Sequence, residues 1–312
     1  MVSARVACLL DRRHKENAMY ENVVVGVDGR PGGADAMALA RRLAPGSTRV
    51  TLVHVRPLDR APSRGVQGAD DVVERERSTR LLQSERQSGA PDAEMTSVVA
   101  PSVGRGLHDV AEARSADLIV VGGCHRSAIG RVLVGNDARS VLEHAPCAVA
   151  IAPVGYAERP APIQKIGVAY DGSSESTVAL AHSALLADAT GAELIIRDVV
   201  GPHVYGAAWG AGSTYVEDPA VEIAAERERL GAAGGAHVDV VVGFPHEELA
   251  MLSENVDVLV CGSRHQGAVK RVLLGSTSEY LSRHSACPLV VTPSNDEERV
   301  AAWRALGEPT AV

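Results

Sequence analysis

The segments VLVGNDARSVLEHAPCAVAIAP (residues 132–153) and VLLGSTSEYLSRHSACPLVVTP (residues 272–293) align without a gap. Gly135 matches Gly275 and Cys147 matches Cys287, in each case 140 residues further along the chain. Internal similarity at a fixed spacing is typical of a duplicated structural unit. The sequence therefore predicts two halves built to one plan.

The beginnings of the two halves correspond as well. NVVVGVDG (residues 22–29) matches KIGVAYDG (residues 165–172), and a chain of 312 residues has room for two domains of roughly 150 residues each. We predict a first domain at residues 20–153 and a second domain at residues 164–294, joined by a proline-rich linker. Residues 1–19 and 295–312 are predicted to be peripheral extensions, the latter with an apolar stripe of Val300, Trp303 and Leu306.

Each half alternates β-branched runs with alanine-rich amphipathic stretches, a pattern typical of β-α-β units and a parallel sheet. Successive apolar residues, as in Leu118–Val121, predict central strands that are covered on both faces. The predicted fold class is α/β, with two tandem five-stranded Rossmann-like domains of strand order 3-2-1-4-5, packed as a pseudo-dimer. The predicted strands are 23–27, 49–55, 94–100, 117–122 and 147–152, then 165–170, 193–199, 236–242, 257–262 and 288–292. The predicted helices are 33–44, 69–88, 105–114 and 136–145, then 174–189, 217–232, 245–254 and 276–285.

The composition argues against several classes of protein. The formal net charge of −8 is unsuited to a nucleic-acid surface, because neutralising phosphates requires clustered Lys and Arg. No apolar run reaches the ~20 residues of a membrane span, so no membrane partner is expected. The five cysteines contain no CxxC pair, and we expect reduced thiols in a cytoplasmic protein without a zinc site.

Ligands of open parallel sheets bind beyond the carboxyl ends of the strands, where the strand order reverses. Two loops of each half are expected at that place, one after the first strand and one after the fourth. The loops are Asp28-Gly29 and Gly122-Gly123-Cys124-His125 in the first half, and Asp171-Gly172 and Gly262-Ser263-Arg264-His265 in the second half. Each fourth-strand loop leads to a glycine and a polar residue at the start of a helix. The free N–H groups of a helix start favour binding of an anion such as phosphate. Alternatively, the polar side chain only caps the helix.

These motifs resemble the universal stress protein family, and the resemblance covers residues 20–153 and 164–293. It implies a parallel sheet with helices on both faces and, as in many members, bound ATP or AMP, with or without Mg²⁺. By this resemblance, Asp171 and Asp28 contact the nucleoside, and Val199 and Val55 line the adenine. The residues implied for the phosphates are Gly262, His265, Gly275, Ser276 and Thr277 in the second half, and Gly122, His125, Gly135 and Asn136 in the first half.

The chain departs from the family motif at its second glycine, which is His125 in one half and His265 in the other. Histidine tolerates left-handed backbone angles better than most residues. Its ring nevertheless brings bulk to the place of a phosphate oxygen, or donates a hydrogen bond there when protonated. The second half keeps Gly275-Ser276, and we therefore expect a nucleotide in at least the second domain.

Three functions remain open at this point. The leading one is a stress-response regulatory protein that binds an adenine nucleotide with little or no catalysis, because the sequence has no P-loop and Asp28 and Asp171 each lack a paired acid. The alternative is a scaffold that acts through dimerisation and an unknown protein partner, with the terminal strands of the halves joined edge to edge. The third is a slow ATP hydrolase.

Other noticeable residues are assigned structural roles. His144 and His284 lie near predicted helix ends, where a histidine caps carbonyls. Cys124 is not expected to be a nucleophile, since the second half has Arg264 at its position. The glycine-rich segment 201–215 contains Tyr205, Trp209 and Tyr215, and it is either a plain crossover, a lid or a docking surface for a partner.

Overall fold

The computed structural model of the chain describes residues 19–44, 48–58, 67–124, 131–132, 135–158, 162–201, 236–263 and 271–305. In the first half the strands are β1 (Asn22–Gly26), β2 (Arg49–Pro57), β3 (Glu94–Ala100), β4 (Leu118–Gly122) and β5 (Ala148–Ala152). The helices between them are α1 (Pro31–Leu43), α2 (Gln67–Gly89), α3 (Val103–Ala113) and α4 (Asn136–Leu142). Every one of these elements lies within a few residues of its predicted position.

The second half repeats this order. Its strands are β6 (Lys165–Tyr170), β7 (Glu193–Val200), β8 (His237–Val242), β9 (Val258–Gly262) and β10 (Leu289–Thr292). Its helices are α5 (Ser174–Thr190), α6 (Pro245–Leu252), α7 (Ser276–His284) and α8 (Glu297–Ala305). The predicted helix 217–232 and the aromatic segment that precedes it fall outside the described residues, apart from Gly201.

The ten strands of the described residues form one sheet in the order β3-β2-β1-β4-β5-β10-β9-β6-β7-β8. Strand order 3-2-1-4-5 is therefore confirmed in each half, and pairing within each half is parallel. The halves meet where β10 pairs with β5 in antiparallel fashion, with Val290 opposite Ala150. Because that junction is antiparallel, the carboxyl ends of the two sets of strands lie at opposite edges of the sheet.

Helices cover both faces of the sheet and form two separate cores. Side chains of a strand alternate between faces, so Val23 and Val25 join one core and Val24 joins the other. The first core also contains Leu39 of α1 and Ala179 of α5. The second core contains buried residues of α3, α4, α6 and α7, among them Leu107, Val141, Leu249 and Leu281. This double coverage explains the continuous apolar runs of the central strands.

The linker after β5 is fixed to the first half by a buried carboxylate. Asp35 of α1, which is 3% exposed, accepts hydrogen bonds from the backbone N–H groups of Gly155 (2.9 Å) and Ala157 (2.8 Å). Hydrogen bonds to an ionised acceptor are stronger than those between neutral groups. The linker therefore begins in a fixed position on α1.

The last helix, α8, packs onto α5 and also reaches the first half. Arg299 forms an ion pair with Asp117 (Nη2–Oδ2 3.3 Å) and lies 4.8 Å above the ring of Tyr20. The hydroxyl of Tyr20 lies 3.4 Å from Nδ1 of His182 in α5. Trp303 packs against the first core, whereas Leu306 of the predicted stripe is outside the described residues. The segment predicted to be a peripheral extension thus contributes contacts to both halves.

Candidate functional site

A cavity of about 120 Å³ opens at the carboxyl edge of the first half, between the ends of β1 and β4. Asp28, Val55 and Gly122, three of the predicted site residues, all line it. The other lining residues come from the sheet, from α1 and from the first turns of α3 and α4: Gly26, Val27, Arg30, Gly32, Gly33, Val53, Val103, Leu107, Val121, Gly123, Asp137, Ala138 and Val141. The cavity lies at the strand-order reversal, as expected for this fold.

The floor of the cavity is apolar and depends on a glycine. Val53 is 1% exposed, Val55 is 8% exposed and Leu107 is fully buried. A Cβ atom at Gly106 of α3 would lie 2.6 Å from Cγ1 of Val55, so glycine permits α3 to pack directly on β2. The result is a hydrophobic surface suited to a flat apolar group.

Backbone atoms of α1 and β4 approach each other closely at one side of the cavity. A Cβ atom at Gly122 would lie 2.2 Å from the carbonyl oxygen of Gly32, a distance that no real side chain shows. Only glycine fits at the end of β4. Gly122 was predicted, whereas Gly32 was missed, and the Pro-Gly-Gly start of α1 is the sequence feature that indicates such a contact.

Two carboxylates and one guanidinium form the polar part of the cavity. The backbone N–H of Arg30 donates to Oδ1 of Asp28 (3.0 Å), and the Arg30 side chain lies 3.6 Å from the same carboxylate. Gly29 between them has a φ of +76°, which glycine adopts without strain. Asp137 of α4 is the second carboxylate, and the sequence did not predict it because its place depends on how α4 is rotated about its axis. The described part of the chain contains no cluster of three or more metal-ligating side chains.

The predicted residues of the second half occupy the corresponding places. Asp171 follows β6, Val199 lies in β7, Gly262 ends β9 and Gly275 precedes α7, whose first turn contains Ser276 and Thr277. Although burial favours the neutral acid, hydrogen bonds from the hydroxyl (2.5 Å) and backbone N–H (3.0 Å) of Ser173 hold the pKa of Asp171 below its ordinary value. Asp171 is therefore ionised at neutral pH.

At the helix start predicted to bind phosphate in the second half, one backbone N–H group already has a hydrogen-bond partner within the protein. The N–H of Gly275 donates to the hydroxyl of Ser278 (2.8 Å), which is 3% exposed. Ala138 stands at that position in the first half and has no hydroxyl. The two helix starts thus differ in their hydrogen bonding despite their similar sequences.

Several other predicted residues have structural contacts or lie outside the described chain. His125 and His265 are both outside the described residues. The backbone N–H of His144 donates to the carbonyl of Val272 (2.8 Å), which joins the two halves. Nδ1 of His284 lies 2.8 Å from the carbonyl of Tyr280, in agreement with a helix-capping role.

The described cysteines of the second half are buried and unreactive. Burial raises the pKa of Cys261 to about 12 and that of Cys287 to about 12. A thiol with such a pKa stays protonated at neutral pH and is a poor nucleophile and metal ligand. None of the described helices is both long enough and apolar enough to cross a membrane.

Comparisons with known proteins extend over both halves. The universal stress protein family matches residues 19–153 and 162–293. A universal stress protein of Mycobacterium tuberculosis is 29% identical over 202 residues, which cover 62% of this chain and 69% of that protein. One from Methanocaldococcus jannaschii is 39% identical over 54 residues, which cover 17% of this chain and 33% of that protein. The crystal structure of a universal stress protein from Archaeoglobus fulgidus has the same fold, with a TM-score of 0.63 at 21% identity over 88% of this chain and 98% of that chain.

Proposed function

The chain belongs to the universal stress protein family, and from that premise we propose that it is a stress-response regulatory protein that binds an adenine nucleotide, ATP or AMP. The observation that carries the proposal is the cavity at the carboxyl edge of the first half, which brings Asp28, Val55 and Gly122 together. An apolar floor beside a few polar groups is the usual composition of a site for a small organic ligand.

The volume of the cavity indicates which part of the nucleotide it encloses. About 120 Å³ is less than the roughly 300–1,000 Å³ of a pocket that encloses a whole ligand. We therefore place the base against Val53, Val55 and Leu107, and the sugar and phosphates at the open rim near Asp28 and Asp137. The glycines at the rim leave room for phosphate oxygens to approach the backbone.

Mg²⁺ fits this site when it is bound to the phosphates of the nucleotide. Mg²⁺ is usually held by one or two carboxylates together with substrate phosphates. Asp28 and Asp137 line the same cavity and are the residues that would hold it. We propose binding with at most slow hydrolysis, in line with a sequence that contains no P-loop.

The joined terminal strands favour the scaffold function as a second candidate. Because β5 and β10 pair within one chain, the two halves already form an intramolecular pseudo-dimer. A homodimer or a protein partner would therefore use another surface. The five cysteines are odd in number and contain no CxxC pair, and we propose a cytoplasmic location on that ground.

Calorimetry with MgATP and with AMP tests the proposal. The parent protein is expected to bind, and Asp28→Ala is expected to weaken binding about tenfold or more because it removes a charged acceptor for hydrogen bonds from the sugar hydroxyls. Asp109→Ala is the matched control, since Asp109 is an exposed carboxylate on α3 that pairs only with Arg105 among the described residues. Absence of heat in the parent, or equal weakening by both substitutions, would contradict the proposal.

A further inference from the structure

Strand register shows which residue of the second half corresponds to Val53 in the floor of the first-half cavity. In the first half Gly26 of β1 lies opposite Val53 of β2, and in the second half its counterpart Ala169 lies opposite Arg197 of β7. Arg197 therefore stands where Val53 lines the first cavity. An arginine at this position replaces part of an apolar floor with a guanidinium.

Arg197 is the centre of a largely buried ion-pair cluster. Its side chain is 13% exposed, and its Nη2 lies 2.6 Å from Oδ2 of Asp239. Nη1 lies 3.6 Å from Oε2 of Glu248 and 3.4 Å from the Glu248 carbonyl oxygen. Nε is buried without a hydrogen-bond partner in the described residues. We call Arg197, Asp239 and Glu248 the second-half ion cluster.

The first half has small or neutral residues at each of these positions. Thr96 lies opposite Val53 just as Asp239 lies opposite Arg197. Gly106 is the fourth residue of α3 as Glu248 is the fourth residue of α6. A large charged side chain thus replaces the glycine that gives α3 its close contact with β2.

The side chain of Glu248 extends along the sheet rather than out to solvent. A Cβ atom at Gly243, which follows β8, would lie 2.7 Å from Cγ and 2.7 Å from Oε1 of Glu248. The Glu248 side chain is 20% exposed and lies beside Gly243, just after the end of β8. An adenine placed as in the first half would have to displace it, and leaving Arg197 without its partners would be costly.

A second difference between the two halves lies at the opposite side of the second crevice. Glu175, 8% exposed, stands where the first half has Gly32, and its carbonyl oxygen would lie 2.8 Å from a Cβ atom at Gly262. The hydroxyl of Ser174 donates to its carboxylate (3.1 Å). A buried glutamate therefore stands beside the end of β9 in the second half, at the position where the first half has a glycine.

We infer that the two crevices have diverged, that each chain binds a single adenine nucleotide in the first half, and that the second-half ion cluster with Glu175 excludes it from the second. The inference rests on the proposed function and names the specificity-determining residues that it requires. It reverses the preference for the second half that Gly275-Ser276 suggested from sequence.

Stoichiometry in calorimetry with MgATP tests the inference, with two matched variants. We expect one nucleotide per chain in the parent, binding weakened about tenfold or more in Asp28→Ala, and unchanged stoichiometry and affinity in Asp171→Ala. Two nucleotides per chain, or weaker binding in Asp171→Ala, would overturn the inference while leaving the proposed function intact. No binding by the parent would overturn the proposed function and the inference together.

A gain-of-binding variant tests the assignment of the residues themselves. Arg197→Val, Asp239→Thr, Glu248→Gly and Glu175→Gly, made together, give the second crevice the residues of the first. We expect a second MgATP to bind to the variant, with circular dichroism used to select folded protein. A folded variant that still binds one nucleotide would refute the role of these residues. If the variant does not fold, the calorimetric comparison of Asp28→Ala with Asp171→Ala decides whether the first half alone binds.

Discussion

Arg299 offers the sharpest test of how the two halves are held together. Its side chain is 14% exposed and lies between Asp117 (3.3 Å) and Asp296 (3.6 Å), over the ring of Tyr20. Removing one partner of a buried ion pair costs about 3–5 kcal/mol, whereas an exposed pair contributes about 0–1 kcal/mol. For this largely buried site we expect Arg299→Met to lower the free energy of unfolding by about 3 kcal/mol at pH 7.

The loss of unfolding free energy in Arg299→Met should depend on pH, and the pKa of Asp117 determines the direction. Burial raises the pKa of Asp117 above its ordinary value of 3.8, and Arg299 opposes that rise. A carboxyl whose pKa is raised on folding contributes stability at low pH that is lost as the pH rises through its folded pKa. Without Arg299 the pKa of Asp117 rises further, so the penalty should be largest at pH 7 and shrink as the pH falls towards 4.

Urea unfolding followed by circular dichroism at pH 7 and pH 5 measures this penalty. Arg105→Met is the matched control, because Arg105 is 62% exposed and its pair with Asp109 is a surface pair expected to contribute less than about 0.5 kcal/mol. A loss at Arg299 no larger than that of the control, or a loss that grows on acidification, would refute the reasoning.

Two further predictions concern single positions. Gly122→Ala should lower the free energy of unfolding by roughly 1–3 kcal/mol in urea, because the new Cβ would meet the Gly32 carbonyl at 2.2 Å. Gly201→Ala, where no atom of the described residues lies within 4 Å of the new atom, should change it by less than about 0.5 kcal/mol, and equal effects would contradict the packing argument. Mass spectrometry after a thiol reagent at pH 8 should find Cys261 and Cys287 unmodified in native protein and modified in urea, since burial raises the pKa of each to about 12. Rapid native labelling of either would show that the core opens.

The order of strands and helices was predictable because each element has a strong local pattern. Alternating apolar and amphipathic runs located the described strands and helices, and the 140-residue repeat showed that one plan serves twice. The contacts of α8 were not predictable in this way. Arg299 meets Asp117 and Tyr20, which lie far away in the chain, and no local pattern indicates such a pair.

The candidate site was predictable only where it coincides with strand ends. Asp28 and Gly122 follow from the rule that ligands lie beyond carboxyl ends, whereas Val55 was implied by the resemblance to the universal stress protein family. Asp137 and Leu107 depend instead on how the helices are rotated about their axes, which the sequence leaves open. The difference between Val53 and Arg197 becomes meaningful only when the register places them at one position.

The antiparallel contact between β5 and β10 has a consequence for regulation. Two identical subunits related by a twofold axis must offer identical clefts, so any substitution in one appears in both. Linking the subunits covalently removes that constraint and keeps the partners together at every dilution. One half is then free to keep its crevice open while the other fills its own with charged side chains, as the Val53 and Arg197 positions do. Under the proposed function, a nucleotide would then act from the first half alone.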